Sequence, residues 1–327
     1  MLRELRWRQL NDSGYNLRMK HFAPTLLVIL IATSACGGDA SADAHVRVIG
    51  GPGPSDGRFI TPRGVSVAAG RLWVVDRSGR IQAFDLNGRH LLTAGLPKPE
   101  GRGFPIGILA LEDGGCFVAD THSSRVLRFD AQGHETLRFG KFGTASGEFT
   151  YPQRVLLEEG ELIVTEYGDG EANRIQVFSQ DGTFKRQFGS FGTGPGQFTR
   201  CMGLARLGDE LFVCDASDKI LVFDLHGGFL RDFGRHGDGP GEFRYPYGCC
   251  VLDGALFVAE YGGHRIQKLS PEGECLGCFG RPGAAHGELN GPWDVCAGKD
   301  MLYVADTGNH RVVTVDPSGP GWYLPGQ

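Results

Sequence analysis

An all-β fold, a six-bladed β-propeller whose ring is closed by the N-terminal strand completing the last blade, is predicted by three features of this sequence. A phrase of about 45 residues recurs, its closing glycine falling at Gly50, Gly95, Gly140, Gly189, Gly234 and Gly280. Each full copy holds four short β-rich runs, and four strands at this period make a propeller blade rather than a helical solenoid. The first copy supplies only a closing strand, while the last copy lacks one. A lone four-stranded sheet cannot cover both of its own faces, so neighbouring units must stack.

In chain order, Phe22–Ala35 (FAPTLLVILIATSA) comes first. It is too short to span a bilayer. With a basic start ahead of it and small residues behind, it marks residues 1–35 as a signal peptide. Met19-Lys20-His21 makes the better short basic start, so translation is expected from Met19. Thr33-Ser34-Ala35-Cys36 resembles a bacterial lipobox, with Thr33 where leucine is usual. The resemblance implies that Cys36 is lipidated; the alternative is a plain cleaved signal peptide with Cys36 incidental. Acyl chains contribute about 0.8 kcal/mol per buried CH₂, so two or more would anchor the chain stably. Residues 36–44 are then the lipidated cysteine and a small, polar, flexible tether.

The propeller is expected over residues 45–316. Its strands read as near-continuous apolar runs, such as Leu72-Trp73-Val74-Val75 and Leu211-Phe212-Val213-Cys214, which suits sheets covered on both faces. The turns DLNG, DAQG, SQDG, DLHG and SPEG between third and fourth strands carry hairpin chemistry. His45–Gly50 (HVRVIG) aligns with the fourth strands but has no partners before it. At the other end, Pro317, Pro320 and Pro325 set residues 317–327 apart as a tail that cannot form a fourth strand. The two deficits fit each other, and closure removes an exposed edge.

Tyr303–Val313 (YVADTGNHRVV) is close to the consensus of the NHL-repeat family, and Gln187–Phe198 (QFGSFGTGPGQF) is similar to that family's inter-blade linker. The resemblance covers residues 45–316 and implies the six-bladed fold. It leaves function open, since propellers of this family serve unrelated roles and a fold does not fix an activity.

In such a ring the loop entering each first strand and the loop joining strands two and three open on one face, around a central channel. The residue following the recurrent proline should stand at the channel mouth: Arg63, Ile106, Gln153, Met202, Tyr247 and Trp293. The next positions are glycine in four blades, as close packing near the axis requires, but Arg154 and Asp294 in the other two. Arg63, Arg154, Tyr247, Trp293 and Asp294 are therefore the candidate ligand-binding residues, because arginine and aromatics are enriched at recognition hot spots. An equally weighted reading has Arg154 and Asp294 pairing across the channel.

The insertion in blade three brings Glu166, Asp169 and Glu171 together, a carboxylate set that suits calcium. Against it, Glu166 holds the recurrent acid position (Asp76, Asp120, Glu166, Asp215, Glu260, Asp306), where a carboxylate accepts backbone hydrogen bonds in its own loop. No other metal or cofactor is expected. The amidating-lyase branch of related propellers holds zinc through histidines after such a proline; none of the six positions here is histidine. His264-Arg265 and His310-Arg311 belong to the repeat's own turn. The calcium site of lactonase-type propellers is not assembled by Asp294, Glu166 and Asn173. No nucleophile elbow, phosphate loop or HExxH occurs.

The whole chain carries a net charge of −5. Removing residues 1–35, with five basic and two acidic groups, leaves 28 basic against 36 acidic groups, a net of −8. An acidic exported domain is a poor nucleic-acid binder. Cys275 and Cys278 lie in a fourth strand, where i and i+3 should face opposite sides, so a redox pair is not expected. Cys250 and Cys296, at equivalent positions of adjacent blades, could be bridged in an oxidising compartment. The functional expectation is an exported, lipid-anchored, monomeric binding or scaffold module for a protein or small molecule. A metal-dependent propeller enzyme, amidating-lyase-like or lactonase-like, is the alternative.

Overall fold

The structure, a computed structural model, describes residues 45–97, 104–168 and 170–326. The expected signal peptide, Cys36 and the tether lie outside the described residues. Among the described residues no helix is long and apolar enough to cross a membrane.

Strand β1 (Val46–Gly50) leads. Blade one follows with β2 (Pro62–Ala68), β3 (Arg71–Asp76), β4 (Arg80–Asp85) and β5 (His90–Gly95), and blade two with β6 (Gly107–Ala110), β7 (Cys116–Asp120), β8 (Arg125–Phe129) and β9 (Glu135–Phe139). Blade three is β10 (Tyr151–Glu158), β11 (Glu161–Tyr167), β12 (Arg174–Ser179) and β13 (Phe184–Phe188). A two-residue parallel pair, β14 (Ser190–Phe191) and β15 (Gln197–Phe198), lies in the next linker. Blade four is β16 (Cys201–Leu207), β17 (Glu210–Asp215), β18 (Lys219–Asp224) and β19 (Phe229–Phe233). Blade five is β20 (Pro246–Leu252), β21 (Ala255–Glu260), β22 (Arg265–Leu269) and β23 (Cys275–Phe279). Blade six has β24 (Pro292–Ala297), β25 (Leu302–Asp306) and β26 (Arg311–Val315) from its own copy and takes β1 as its fourth strand.

That last pairing closes the ring as expected: β1 runs antiparallel to β26 from Val46↔Val315 to Gly50↔Arg311. His45 Nδ1 meets Asp316 Oδ2 at 2.9 Å just beyond the strand. The core lies between blades rather than in one centre. On β3, Trp73 and Val75 pack towards blade two while Leu72 and Val74 pack towards blade six, which is why the runs are apolar on both faces. Gly50 sits at φ +81° over the buried ring of Phe59, where a Cβ would come within 2.3 Å, so the closing glycine and the linker phenylalanine require one another.

The recurrent acid ties each blade's upper loops together. Glu166 accepts from Thr150 N at 2.8 Å and pairs with Arg174 at 2.6 Å; Glu260 accepts from Arg244 N at 2.9 Å and pairs with Arg265 at 2.6 Å. The same arginines donate to linker carbonyls, as Arg265 does to Asp238 and Glu242. In blade four Lys219 replaces the arginine and turns to Asp232 at 2.7 Å, so Asp215 takes the Thr199 amide and hydroxyl instead.

Two cysteine expectations change. A bulge where Lys268/Leu269 face Gly277/Cys275 breaks the alternation of β23, and Cys275 and Cys278 come to one side with their sulfurs 3.9 Å apart. Cys250 and Cys296 are both free thiols. Cys250 packs into the layer between blades five and six, and Cys296 into the layer between blades six and one. Equivalent positions point the same way round the ring, so they follow one another instead of facing. The tail covers the outer edge of blade five: Tyr323 exchanges backbone hydrogen bonds with Cys278 at 2.7 and 2.9 Å, and its hydroxyl donates to Gly280 O at 2.8 Å.

Candidate functional site at the channel mouth

The six inner strands converge on the axis, and the second position after the recurrent proline or its equivalent sets how close they come. A Cβ on Gly107 would meet Gln153 O at 2.1 Å, and one on Gly248 would meet Asp294 Oδ1 at 2.3 Å. Only glycine fits there. Arg154 and Asp294 hold the matching places in blades three and six, and their side chains meet across the axis in a buried ion pair. Asp294 also accepts from Val65 N at 3.0 Å and Val295 N at 2.9 Å. Burial pushes the Asp294 carboxyl up from its ordinary value, while Arg154 and the two amides pull the other way.

This pair plugs the channel. Above it the neck, ringed by Arg63, Ile106, Gln153, Met202, Tyr247 and Trp293, encloses about 20 Å³, space for roughly one water. On the far side a funnel of about 210 Å³ opens between Ile108, Leu156, Leu204, Val251 and Ala297, with Arg154 at its floor. A ligand approaching the mouth face must stay on the rim.

The rim is a crown of rings and guanidinium groups. One arc starts at Arg77, 4.7 Å over the Phe104 ring, and passes through His122 to Tyr151, whose ring stacks on Tyr167 at 5.2 Å and 27°. Arg200 ends it, 4.2 Å over Tyr167. The other arc is Tyr245, Tyr247, Tyr261 and Trp293, with Tyr247 and Trp293 at 4.6 Å, and Arg63 caps it 4.3 Å over the indole. Burial pushes the Tyr247 phenol up, with Arg200 near enough to oppose it. Burial and the charge of Arg77 hold the Arg63 guanidinium below its ordinary value. Arg63, Arg77 and Arg200 make no ion pair among the described residues, whereas Arg80, Arg125, Arg174, Arg265 and Arg311 each hold one.

Of the five residues singled out in the sequence, Arg63, Tyr247 and Trp293 stand on the crown, and Arg154 and Asp294 form the plug beneath it. Sequence reasoning missed most of the crown. Phe104, Tyr151, Arg200 and Tyr245 come one position before the recurrent proline or its equivalent, and Arg77, Tyr167 and Tyr261 directly follow the recurrent acid. Reading those two columns down the repeat would have found them. The calcium reading loses its anchor, since Glu166 is engaged by Arg174, Gln176 and Thr150 N. Asp169 and the side chain of Glu171 lie outside the described residues. Among the described residues no three His, Cys, Asp or Glu side chains cluster to hold a metal. His264 and His310 each accept a backbone N–H of the next blade's loop, from Gly291 at 3.0 Å and Thr61 at 3.1 Å, as parts of the repeat.

Residues 289–314 match the NHL repeat, and the chain is a six-bladed propeller carrying it. No curated protein matches it by sequence. Among solved structures it is similar to a streptogramin B lyase (15% identity over 85% of this chain and 99% of that chain, TM-score 0.59). It is also similar to a gluconolactonase from Xanthomonas campestris (14% identity, 80% and 87% of the two chains, TM-score 0.57). A third likeness is to a chain of a nidogen/laminin complex (16% identity, 72% and 92%, TM-score 0.55). Identities this low show the fold alone.

Proposed function

We propose that this protein is an exported recognition propeller, held to a bacterial envelope membrane through lipid on Cys36, that binds a ligand or partner on its crown. The observation that carries this reading is the crown itself: three guanidinium groups without carboxylate partners among the described residues, set over aromatic rings above a plugged axis. Stacking fixes those side chains before anything binds, so little ordering entropy is lost on association. Arginine and aromatic residues are also those that dominate binding energy where it is measured. The protein acts as a monomer, on a protein or small molecule rather than nucleic acid. The test is capture from membranes with the tagged full chain, comparing wild type with Trp293→Ala and Arg200→Ala. A specific companion lost from both variants is the expected result; a companion retained by both would remove the crown from the account.

A metal-dependent enzyme is the second reading, favoured by the likeness to propellers named as a lyase and a lactonase. One equivalent of zinc or calcium in the purified ring would support it.

A further inference from the structure

Each of the three crown arginines sits over an aromatic ring with no ion pair and no side-chain hydrogen bond among the described residues, whereas Arg71, also without a carboxylate and over Trp73, donates to Gly114 O and Ala131 O. Arg80, Arg125 and Arg174, also half-buried or deeper, each sit against a carboxylate. Arg63 and Arg200 instead sit over an indole and a phenol, 4.3 and 4.2 Å from the ring centres, and the Nε of each is buried without a hydrogen-bond partner among the described residues. Arg77 stands near enough for its charge to disfavour that of Arg63. In a chain with more acids than bases, like charges gathered at one mouth raise the free energy of the empty site. An incoming anion would relieve it. With Nε buried, the donors left for an incoming ligand are the terminal Nη groups, whose paired N–H bonds match the two oxygens of an oxyanion.

The rest of the crown says what should carry the anion. The neck admits only about one water, so nothing can insert, and a bound molecule must lie across the rim. Tyr247, Tyr261 and Trp293 form a contiguous aromatic patch beside Arg63, and Tyr151 and Tyr167 form a second beside Arg200. A flat unsaturated ring gains most from such a surface, through offset stacking or edge-to-face contact. We propose that the crown recognises a small molecule made of an oxyanion, carboxylate or phosphate monoester, on a planar aromatic ring. This deepens the crown reading and rests on it.

The experiment is calorimetric titration of the full chain with four probes: naphthalene-2-carboxylate, 2-naphthyl phosphate, neutral 2-naphthylmethanol and cyclohexanecarboxylate. The aromatic anions should bind about tenfold or more tighter than the neutral alcohol and the saturated acid, as the loss of a charge-assisted pair or of a stacking partner predicts. Tighter binding of the phosphate identifies phosphate monoesters as the source, tighter binding of the carboxylate the acids. Arg63→Ala and Arg200→Ala should each weaken the anions about tenfold and leave the alcohol unchanged. Arg47→Ala, on the exposed side of β1, should change neither. Equal affinity for charged and neutral probes, or no binding of either aromatic anion, overturns the proposal. If the anions fail while Arg200→Ala still releases the captured companion, the chemical class falls and the crown reading stands. If the companion is also unaffected, both fall.

Discussion

Arg154 and Asp294 show what one residue per blade can decide. Four blades meet the axis with glycine, and these two fill the remaining space with an ion pair enclosed by it. The exception to the glycine column was legible in the sequence. Which of two readings it served was not, because that depends on the width of the ring. Removing one partner of a buried pair leaves a charge without compensation, whereas replacing both is often close to neutral. Arg154→Met alone should therefore cost about 3–5 kcal/mol in urea unfolding. The double variant Arg154→Met/Asp294→Asn, which keeps an acceptor for Val65 N, should recover more than half of that loss. Additive losses would mean that the two side chains do not depend on each other.

At the scale of the element, strands and turns were readable from apolar runs and from hairpin residues, and the irregularities were not. Cys275 and Cys278 would face opposite sides of a regular strand. One bulge on β23 turns them together, and no residue type announces it. The consequence is chemical. A hydrogen bond from the Cys278 thiol holds the half-buried Cys275 thiol down to about 6, while Cys278 itself is pushed up by that bond and by burial. The thiolate is the reactive form. Iodoacetamide should then label Cys275 first in the folded protein, at a rate level near pH 8 and falling as pH drops through about 6. Peptide mapping across pH checks it; labelling that rises only above pH 8 would contradict the pairing. Cys116, Cys201 and Cys214, buried between blades, should stay silent until unfolding.

The whole molecule is a ring, and its sequence showed this through two incomplete units whose deficits match. The crown was less legible, since its side chains come from positions scattered over all six blades and meet only after closure. β1 holds the ring shut. Val46 and Ile49 are buried in the layers on either side of blade six. Burying such side chains stabilises by about 1.5–3 kcal/mol each, so a chain starting at Gly51 should lose at least about 3–6 kcal/mol. It should also aggregate through the bare edge of β26. Light scattering and thermal melts would show this; a monomeric, equally stable product would refute closure as the holding device. Acid should loosen the same seam. Hydrogen bonds from Ser318 and His45 hold the Asp316 carboxyl down to about 2. A lowered folded value means the stabilisation is complete above the ordinary carboxylate value and fades as pH falls towards about 2. Asp316→Asn should therefore lower the melting temperature by a few degrees at pH 7, with the difference shrinking as pH falls and closing only below about 2.

The direction of β1 has one more consequence. Gly50 lies level with Arg311, beside the loop that joins strands two and three, and Val46 lies level with Val315 at the opposite side of the disc. His45 therefore lies on the blunt underside, away from the crown. Were the lipid anchor proposed for Cys36 in place, entry of the chain from this side would leave the receptive surface turned outward like an open dish. Neutron reflectometry on a supported bilayer would read that orientation, and a dish facing the lipid would refute it.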